Sequence, residues 1–402
     1  MILINLMWSS MSFFLRLLSN VIIFFLIAKE YGPEKFGHFS TLVLFATGVT
    51  LLADLGTHQR LFKEISIGGE GIKSIYSLKL LFISVSFFIG IVLSIFNYSI
   101  DLFFVILSYI LNGYVDFIQV RLRANTEFRK ETYSALINNV AFFSITSISL
   151  LVSKDIHMLA VSFFLARVIS VVIMNTLLHV DTISVWSEAY LNLKKIIKRK
   201  HKVNNDSQLY YSVDFILTNI WVILDAIVVK IYFSIFTFGL YSSYSRIING
   251  ISSLSVIFTN VVFKAIAQEA LYKKYNKLLK GTTLLFFSGV ICCFVLYVKG
   301  YFLVQELLGK EYIEYTNYLP YMFIPVWIKW ISSCLGIYLL GAGGVKKRVM
   351  AQVIALMTFV LIFSIGYNLG YTIPVVICSL SVSYLVILIF YFNFFVGHKN
   401  EN

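Results

Sequence analysis

Residues 28–41, AKEYGPEKFGHFST, and residues 229–243, VKIYFSIFTFGLYSS, each interrupt a long apolar run, and each closes on one pattern, FGHFST at 36–41 and FGLYSS at 238–243. A joint written twice, in corresponding places, reads as two related halves. On either side of each joint lies an apolar run of about 20 residues, enough to cross a hydrocarbon core of roughly 30 Å. Working outward in both directions gives twelve such runs: 8–28, 36–59, 76–97, 101–120, 133–152, 157–179, 209–230, 238–263, 281–302, 316–341, 350–368 and 371–396. They are near-continuous, whereas lipid-facing barrel strands alternate and are about 10 residues long, so the spans are helices. A weaker echo pairs RANTEFRK at 123–130 with GAGGVKKR at 341–348, each after the fourth span of its half.

Composition supports the membrane reading. The 402 residues are 59% hydrophobic and 13% charged, against about 25% charged in a soluble domain. That is too little polar material for a water-facing surface. The net charge of +13 could point to nucleic acid, but the cations sit in short loops between apolar runs. A membrane explains them better, so lipids and no nucleic acid are expected as surroundings. With the N-terminus cytoplasmic, 22 of the 33 Lys and Arg fall on the cytoplasmic side, six on the other side and five inside spans. The excess alternates loop by loop, as the positive-inside rule requires, and places both termini in the cytoplasm.

The expected architecture is an all-α integral membrane protein of about twelve transmembrane helices. Two six-helix halves, 1–180 and 209–402, are joined by a cytoplasmic linker at 181–208 with a basic stretch at 194–202. Halves sharing one orientation imply a parallel pseudo-twofold repeat, an arrangement many transporters use. The first span keeps Arg16 and has no small-residue cleavage site behind it, so it is expected to be retained. The four cysteines all lie within apolar spans and predict no structural disulfide. The six histidines show no metal-ligand spacing, no GxxxxGK loop occurs, and no cofactor or metal is expected. The longest outer stretch, 303–315, is too short for a catalytic domain, which argues against a polysaccharide polymerase and against enzymes generally.

A charge within a bilayer is costly and normally faces a bundle interior or a watery cavity. Polar side chains recur at helical spacing on the first span (Asn5, Ser9, Ser12, Arg16, Ser19) and on the eighth (Ser242, Arg246, Asn249, Ser253, Asn260). Weaker stripes lie on the second span (Ser40, Thr47, Asp54, His58), the fourth (Ser108, Asn112, Asp116, Gln119, Arg123) and the seventh (Asp214, Thr218, Trp221, Asp225). Such stripes serve interhelical hydrogen bonding as readily as they line a cavity. Read functionally, they predict a central cavity with Arg16, Arg246 and Lys329 as cations for an anionic head group, since guanidinium forks suit phosphate. Arg16, near mid-span and without a local partner, is the strongest candidate. Asp54 and Asp225 are candidates for ion coupling. Asp225 and Arg246 lie within reach of a structural ion pair, Arg167 reads as structural, and Lys79 as a snorkelling lysine.

Residues 28–60 resemble the start of Wzx-type polysaccharide flippases, with a Gly32-Pro33-Glu34-x-Phe36-Gly37 turn after the first helix, then Asp54-Leu55-Gly56 and Arg60. LDAIVVKIYFSIFTFGLYSSYSRI, with Asp225, Gly239, Tyr241 and Arg246, is similar to that family's helix 7–8 hairpin. LLGKEYIEYTNYL at 307–319 and GAGGVKKRVM at 341–350 are similar to later segments. The second turn, YFSIFTFG, lacks the Gly-Pro pair. The resemblance implies the multidrug/oligosaccharidyl-lipid/polysaccharide (MOP) exporter superfamily and translocation of undecaprenyl-diphosphate-linked oligosaccharides across the bacterial inner membrane for O-antigen or lipopolysaccharide assembly. It further implies alternating access, ion-gradient coupling, and polymerase and chain-length partners. A small-molecule antiporter of the same superfamily is the alternative, disfavoured for cationic drugs by the sign of the buried charges.

Overall fold

The computed structural model describes residues 2–66, 72–97, 99–178, 206–272 and 274–400. The expected linker at 181–208 lies outside them except for its last three residues. Every regular element among the described residues is a helix: α1 (Ile2–Asp54), α2 (Thr57–Ser66), α3 (Ile72–Phe96), α4 (Ile100–Ala124), α5 (Phe128–Val152), α6 (Ile156–Leu178), α7 (Asp206–Tyr232), α8 (Ile235–Leu271), α9 (Asn276–Leu307), a 3-10 helix (Lys310–Tyr318), α10 (Leu319–Gly341), α11 (Val345–Asn368) and α12 (Ile373–Asn400).

Helix α1 holds the first two spans. At Gly32 the backbone leaves helical geometry (φ 71°, ψ 172°) and Pro33 follows. A side chain at that φ is strained, so glycine is the residue that fits. The ring centroids of Phe24 and Phe39, on either side of the break, are 6.1 Å apart. In a straight helix fifteen residues would separate them by about 22 Å, so the two arms fold back on one another. With α3–α12 this makes twelve long helical arms, and ten helices among the described residues, α1 counted once, are long and apolar enough to cross a membrane. Large apolar side chains lie on the outside, with Phe96 77%, Leu151 88%, Tyr297 76% and Met357 68% exposed. Such a surface suits lipid.

One helix was not foreseen. The loop expected after residue 59 contains α2, which is too short to span. Leu55 (φ 39°) and Gly56 (φ 79°) end α1, and the Asp54 carboxylate accepts from Thr57 Oγ1 at 2.7 Å and from the His58 amide at 3.3 Å. This supplies the orphan amides of the new helix with an acceptor. Leu61 then packs against Ile75, Tyr76 and Phe117, and Ile65 covers the edge of the cluster.

The chain divides into two compact units. The first comprises Met1–Tyr31 and His38–Asp206, the second Gly32–Gly37 and Ser207–Asn402. In the first, α4 packs against α2, α3, α5 and α6, and α5 lies along α6. Its core is aromatic: Phe163 meets Phe39 at 5.2 Å and Phe142 at 4.7 Å between centroids, both edge-on. In the second, α10 is central, packed against α8, α9 and α12, and α11 lies along α12. The close approach of α9 to α10 needs Gly289, where a Cβ would overlap the Trp327 ring. Glu269, near the end of α8, accepts from the amides of Lys277 and Leu278 at 2.9–3.2 Å and so caps α9.

The repeated FG pair has a packing cause. Within the second unit, a Cβ on Gly37 would overlap the Ile235 carbonyl, and one on Gly239 would overlap the Pro33 carbonyl and stand 3.1 Å from the Gly37 nitrogen. Backbone meets backbone there, and a side chain on either residue would separate them.

Candidate functional site

The first unit holds an ionic cluster built by α1, α4 and α5. Glu131, in the first turn of α5, is fully buried. Its Oε1 takes Arg123 at 3.0 Å (Nε) and 2.5 Å (Nη2), a two-point grip in which two nitrogens of one planar guanidinium converge on a single carboxylate oxygen. Arg16 reaches the same oxygen at 3.4 Å and, through its other terminal nitrogen, Asp116 Oδ1 at 3.6 Å. Asp116 Oδ2 accepts from Asn112 Nδ2 at 3.1 Å, Asn112 Oδ1 accepts from Asn138 Nδ2 at 3.1 Å, and Asn138 Oδ1 accepts from Arg167 Nη1 at 2.8 Å. The chain ends on α6, where the Arg167 guanidinium lies over the Phe142 ring, 4.0 Å from its centroid. Three guanidinium groups face two carboxylates, so the network carries a net charge of one positive unit. Arg16, Arg123 and Asp116 are 24%, 31% and 36% exposed in their side chains, while Glu131 is sealed.

Arg16 has no local acidic partner in sequence, but it has two distant ones, Asp116 and Glu131, and it lies nearer a helix end than the expected mid-span position. Arg123 is the next-to-last residue of α4 and Glu131 belongs to the first turn of α5, so Arg16 lies level with the α4–α5 turn. The cause is the length of α1. Its first arm runs from Ile2 to the break at Gly32, which at 1.5 Å per residue is about 45 Å, more than the roughly 30 Å core needs. Measured from the break at Gly32, Arg16 lies about 24 Å away at 1.5 Å per residue, most of the way across such a core. Of the other side chains on its stripe, Ser12 accepts from Arg16 at 3.5 Å, and those of Asn5 and Ser9 lie outside the described residues.

Asp54 and Lys79 are joined at the same end. Lys79, expected to snorkel, is 1% exposed. Its ammonium donates to the Ala53 carbonyl at 3.1 Å, meets Asp54 at 3.4 Å and lies 5.3 Å from the Phe117 centroid. The ammonium is held inside by these partners on α1 and α4 and does not reach out to water. His58 is in contact with Asp54 as well. Asp54 thus ties α1, α2 and α3 together.

In the second unit, Asp225 and Lys329 line one cavity of about 60 Å³, together with Trp221, Tyr241, Asn249 and Tyr384. Tyr241 donates to Asp225 Oδ2 at 2.7 Å, and Lys329 Nζ lies 5.9 Å from the Tyr384 centroid. Asp225 and Lys329 lie within electrostatic range of one another. The volume suits a few waters or a small ion and is far below the 300 Å³ and more of an organic-ligand pocket. Arg246, on α8, is partly buried and is not among the cavity-lining residues. The α7 stripe divides: Asp214 pairs with Arg348 at 3.0 Å and accepts from Gln352 at 2.9 Å, both on α11, while Trp221 and Asp225 face the cavity.

Of the five residues picked out from the sequence, Arg16 and Asp54 thus belong to the first unit, and Asp225, Arg246 and Lys329 to the second. Sequence reasoning passed over Glu131, the hub of the ionic cluster. It stands in RANTEFRKE, where a carboxylate among loop cations looks like solvent-facing charge. The usable signal was Asp116 and Arg123 on one α4 face with a further acid just past the turn.

No family model matches the chain, and no curated protein sequence matches it. Solved structures do. A point mutant of the Vibrio cholerae MATE transporter VcmN superposes with a TM-score of 0.67 at 11% identity, over 99% of this chain and 97% of that one. A multidrug resistance MATE family transporter of the MOP superfamily, in an inward-facing conformation, gives 0.63 at 12% identity, over 98% and 95%. An outward-facing structure described in the same terms gives 0.62 at 11%, over 99% and 96%. At such identities the likeness speaks for architecture, and across nearly its whole length this chain has the fold of MATE transporters.

Proposed function

We propose that this protein is a membrane transporter that flips undecaprenyl-diphosphate-linked oligosaccharides across the bacterial inner membrane, for assembly of O-antigen or a related surface polysaccharide, by alternating access. The observation that carries the reading is the Arg16 cluster, in which Arg16 and Arg123, both partly exposed, face Asp116 and Glu131 while the buried Arg167 adds a third positive charge behind them. A diphosphate offers several strong acceptors to two adjacent arginine forks, and a lipid-linked saccharide presents that group at the membrane–water boundary. The motif resemblance at 28–60 supports the same substrate class. Inward- and outward-facing conformations described for proteins of this fold are the two end states that alternating access requires.

The experiment is deletion of the gene with analysis of lipid-linked intermediates. Undecaprenyl-linked repeat units should accumulate on the cytoplasmic side while the surface polymer disappears. Normal polymer in the deletion strain overturns the reading. A second reading, export of a small molecule by antiport, is favoured by the multidrug transporters among the structural neighbours. It predicts altered drug sensitivity on overexpression with surface polymer unaffected by deletion.

A further inference from the structure

We propose that Asp116 is an internal counter-anion that occupies the anion-binding face of Arg16 when no substrate is bound, and that a substrate diphosphate binds by displacing it. This rests on the flippase reading above and deepens it by naming a competitor for the substrate's charge.

The two carboxylates of the cluster are held very differently. Glu131 is sealed and gripped at two points by Arg123. It is a fixed anchor, because a buried carboxylate cannot leave its partners without a large desolvation cost. Asp116 touches Arg16 at a single point, at 3.6 Å, and both side chains are partly exposed. Exposed single-point pairs of this kind are weak. Asp116 also keeps a donor when it lets go, since Asn112 holds its other oxygen at 3.1 Å and is itself held by Asn138. Arg16 meanwhile stays tied to Glu131 at 3.4 Å. The cluster can therefore exchange one carboxylate for an incoming anion without stranding a buried charge. Lys79 and Arg167 carry further positive charge within electrostatic range of Asp116, so the displaced carboxylate still lies among cations.

The device predicts the sign of a substitution. Removing an acid that merely completes the fold should weaken the site, whereas removing a competitor should strengthen it. The test is equilibrium binding of inorganic pyrophosphate to the purified full-length protein in lipid nanodiscs at fixed ionic strength. Asp116→Asn should tighten binding by about three- to fivefold, the range expected from releasing a weak exposed pair, and Asp116→Ala should shift it in the same direction. Glu127→Gln makes the same charge change on a residue paired with Lys130 outside the cluster and should leave affinity unchanged. Glu131→Gln should weaken binding.

Unchanged or weaker binding in both Asp116 variants overturns the inference and leaves the flippase reading standing. Equal tightening by Glu127→Gln also overturns it, because net charge alone then accounts for the effect. Absence of pyrophosphate binding from the wild type and from both Asp116 variants overturns the diphosphate reading itself, and the inference with it.

Discussion

Arg16 and Glu131, on helices α1 and α5, meet at 3.4 Å, and Arg123 grips the same carboxylate oxygen from α4. One buried acid therefore fixes the position of two guanidinium groups that are themselves partly open. This division of labour, a sealed anchor and accessible cations, separates what holds the fold from what meets a ligand.

Arg16→Ala tests the accessible part. Glu131 keeps its two-point contact with Arg123 after the substitution, so no buried charge is stranded. The stability cost should stay within about 1 kcal/mol, the usual worth of a partly exposed pair. Transport should nevertheless be lost, because the fork facing the anion is gone. Melting temperature in detergent and restoration of surface polymer in a deletion strain give the two readings. Full complementation by Arg16→Ala would remove the basis for the anion site.

Glu131→Ala tests the anchor. It removes the shared acceptor of two arginines at a position with no solvent access. Loss of a buried charged partner costs about 3–5 kcal/mol, but Arg16 and Arg123 can turn towards water, so about 1–3 kcal/mol is expected here. Glu127→Ala, at the exposed Glu127–Lys130 pair, should change stability by no more than about 0.5 kcal/mol. Equal effects at the two positions in thermal unfolding would refute the anchoring role.

The contrast between these acids shows what the sequence could and could not disclose. Spans and halves were legible because lipid forces long apolar runs and loops must carry the charge asymmetry. The FGHFST and FGLYSS echo was legible because a backbone-to-backbone approach tolerates only glycine at Gly37 and Gly239. The α4 face with Asp116 and Arg123 could be read from helical spacing. The pairing of Arg16 with Glu131 could not, since it depends on how far α1 extends before its break and on which helix ends lie level. Lys79 reads as a snorkelling lysine for a related reason: nothing in its own span announces that Asp54 and the Ala53 carbonyl hold it inside. Polar residues show which face of a helix is wet or paired, but depth and partners are set by tertiary packing.

The second unit offers a separable test of coupling. Tyr241, 3% exposed, donates to Asp225 at 2.7 Å beside Lys329 in a cavity of water or ion size. Asp225→Asn preserves an acceptor for the phenol and removes the charge, so folding should be kept while dependence on an imposed ion gradient is lost. Tyr241→Phe leaves the charge and removes its donor, costing about 1–3 kcal/mol of stability with gradient dependence retained. Transport in proteoliposomes with and without a gradient distinguishes the two. Gradient-driven transport by Asp225→Asn at the wild-type rate would exclude this carboxylate from coupling.

The glycine pair gives a prediction with opposite signs at two positions. A Cβ at Gly239 would overlap the Pro33 carbonyl oxygen, a backbone atom that cannot rotate away, whereas a Cβ at Gly48 meets nothing within 4 Å. Gly239→Ala should therefore force the α8 start away from the Gly32–Gly37 turn, at a cost of about 1–3 kcal/mol, the range for overpacking a tight contact. Gly48→Ala lies within helix α1, where alanine loses less backbone entropy, and should stabilise by about 0.5–1 kcal/mol. Thermal unfolding of the two variants in one detergent supplies the comparison. If Gly239→Ala melts at or above the wild-type temperature, backbone contact is not what selects the repeated glycine, and another cause for the sequence echo has to be found.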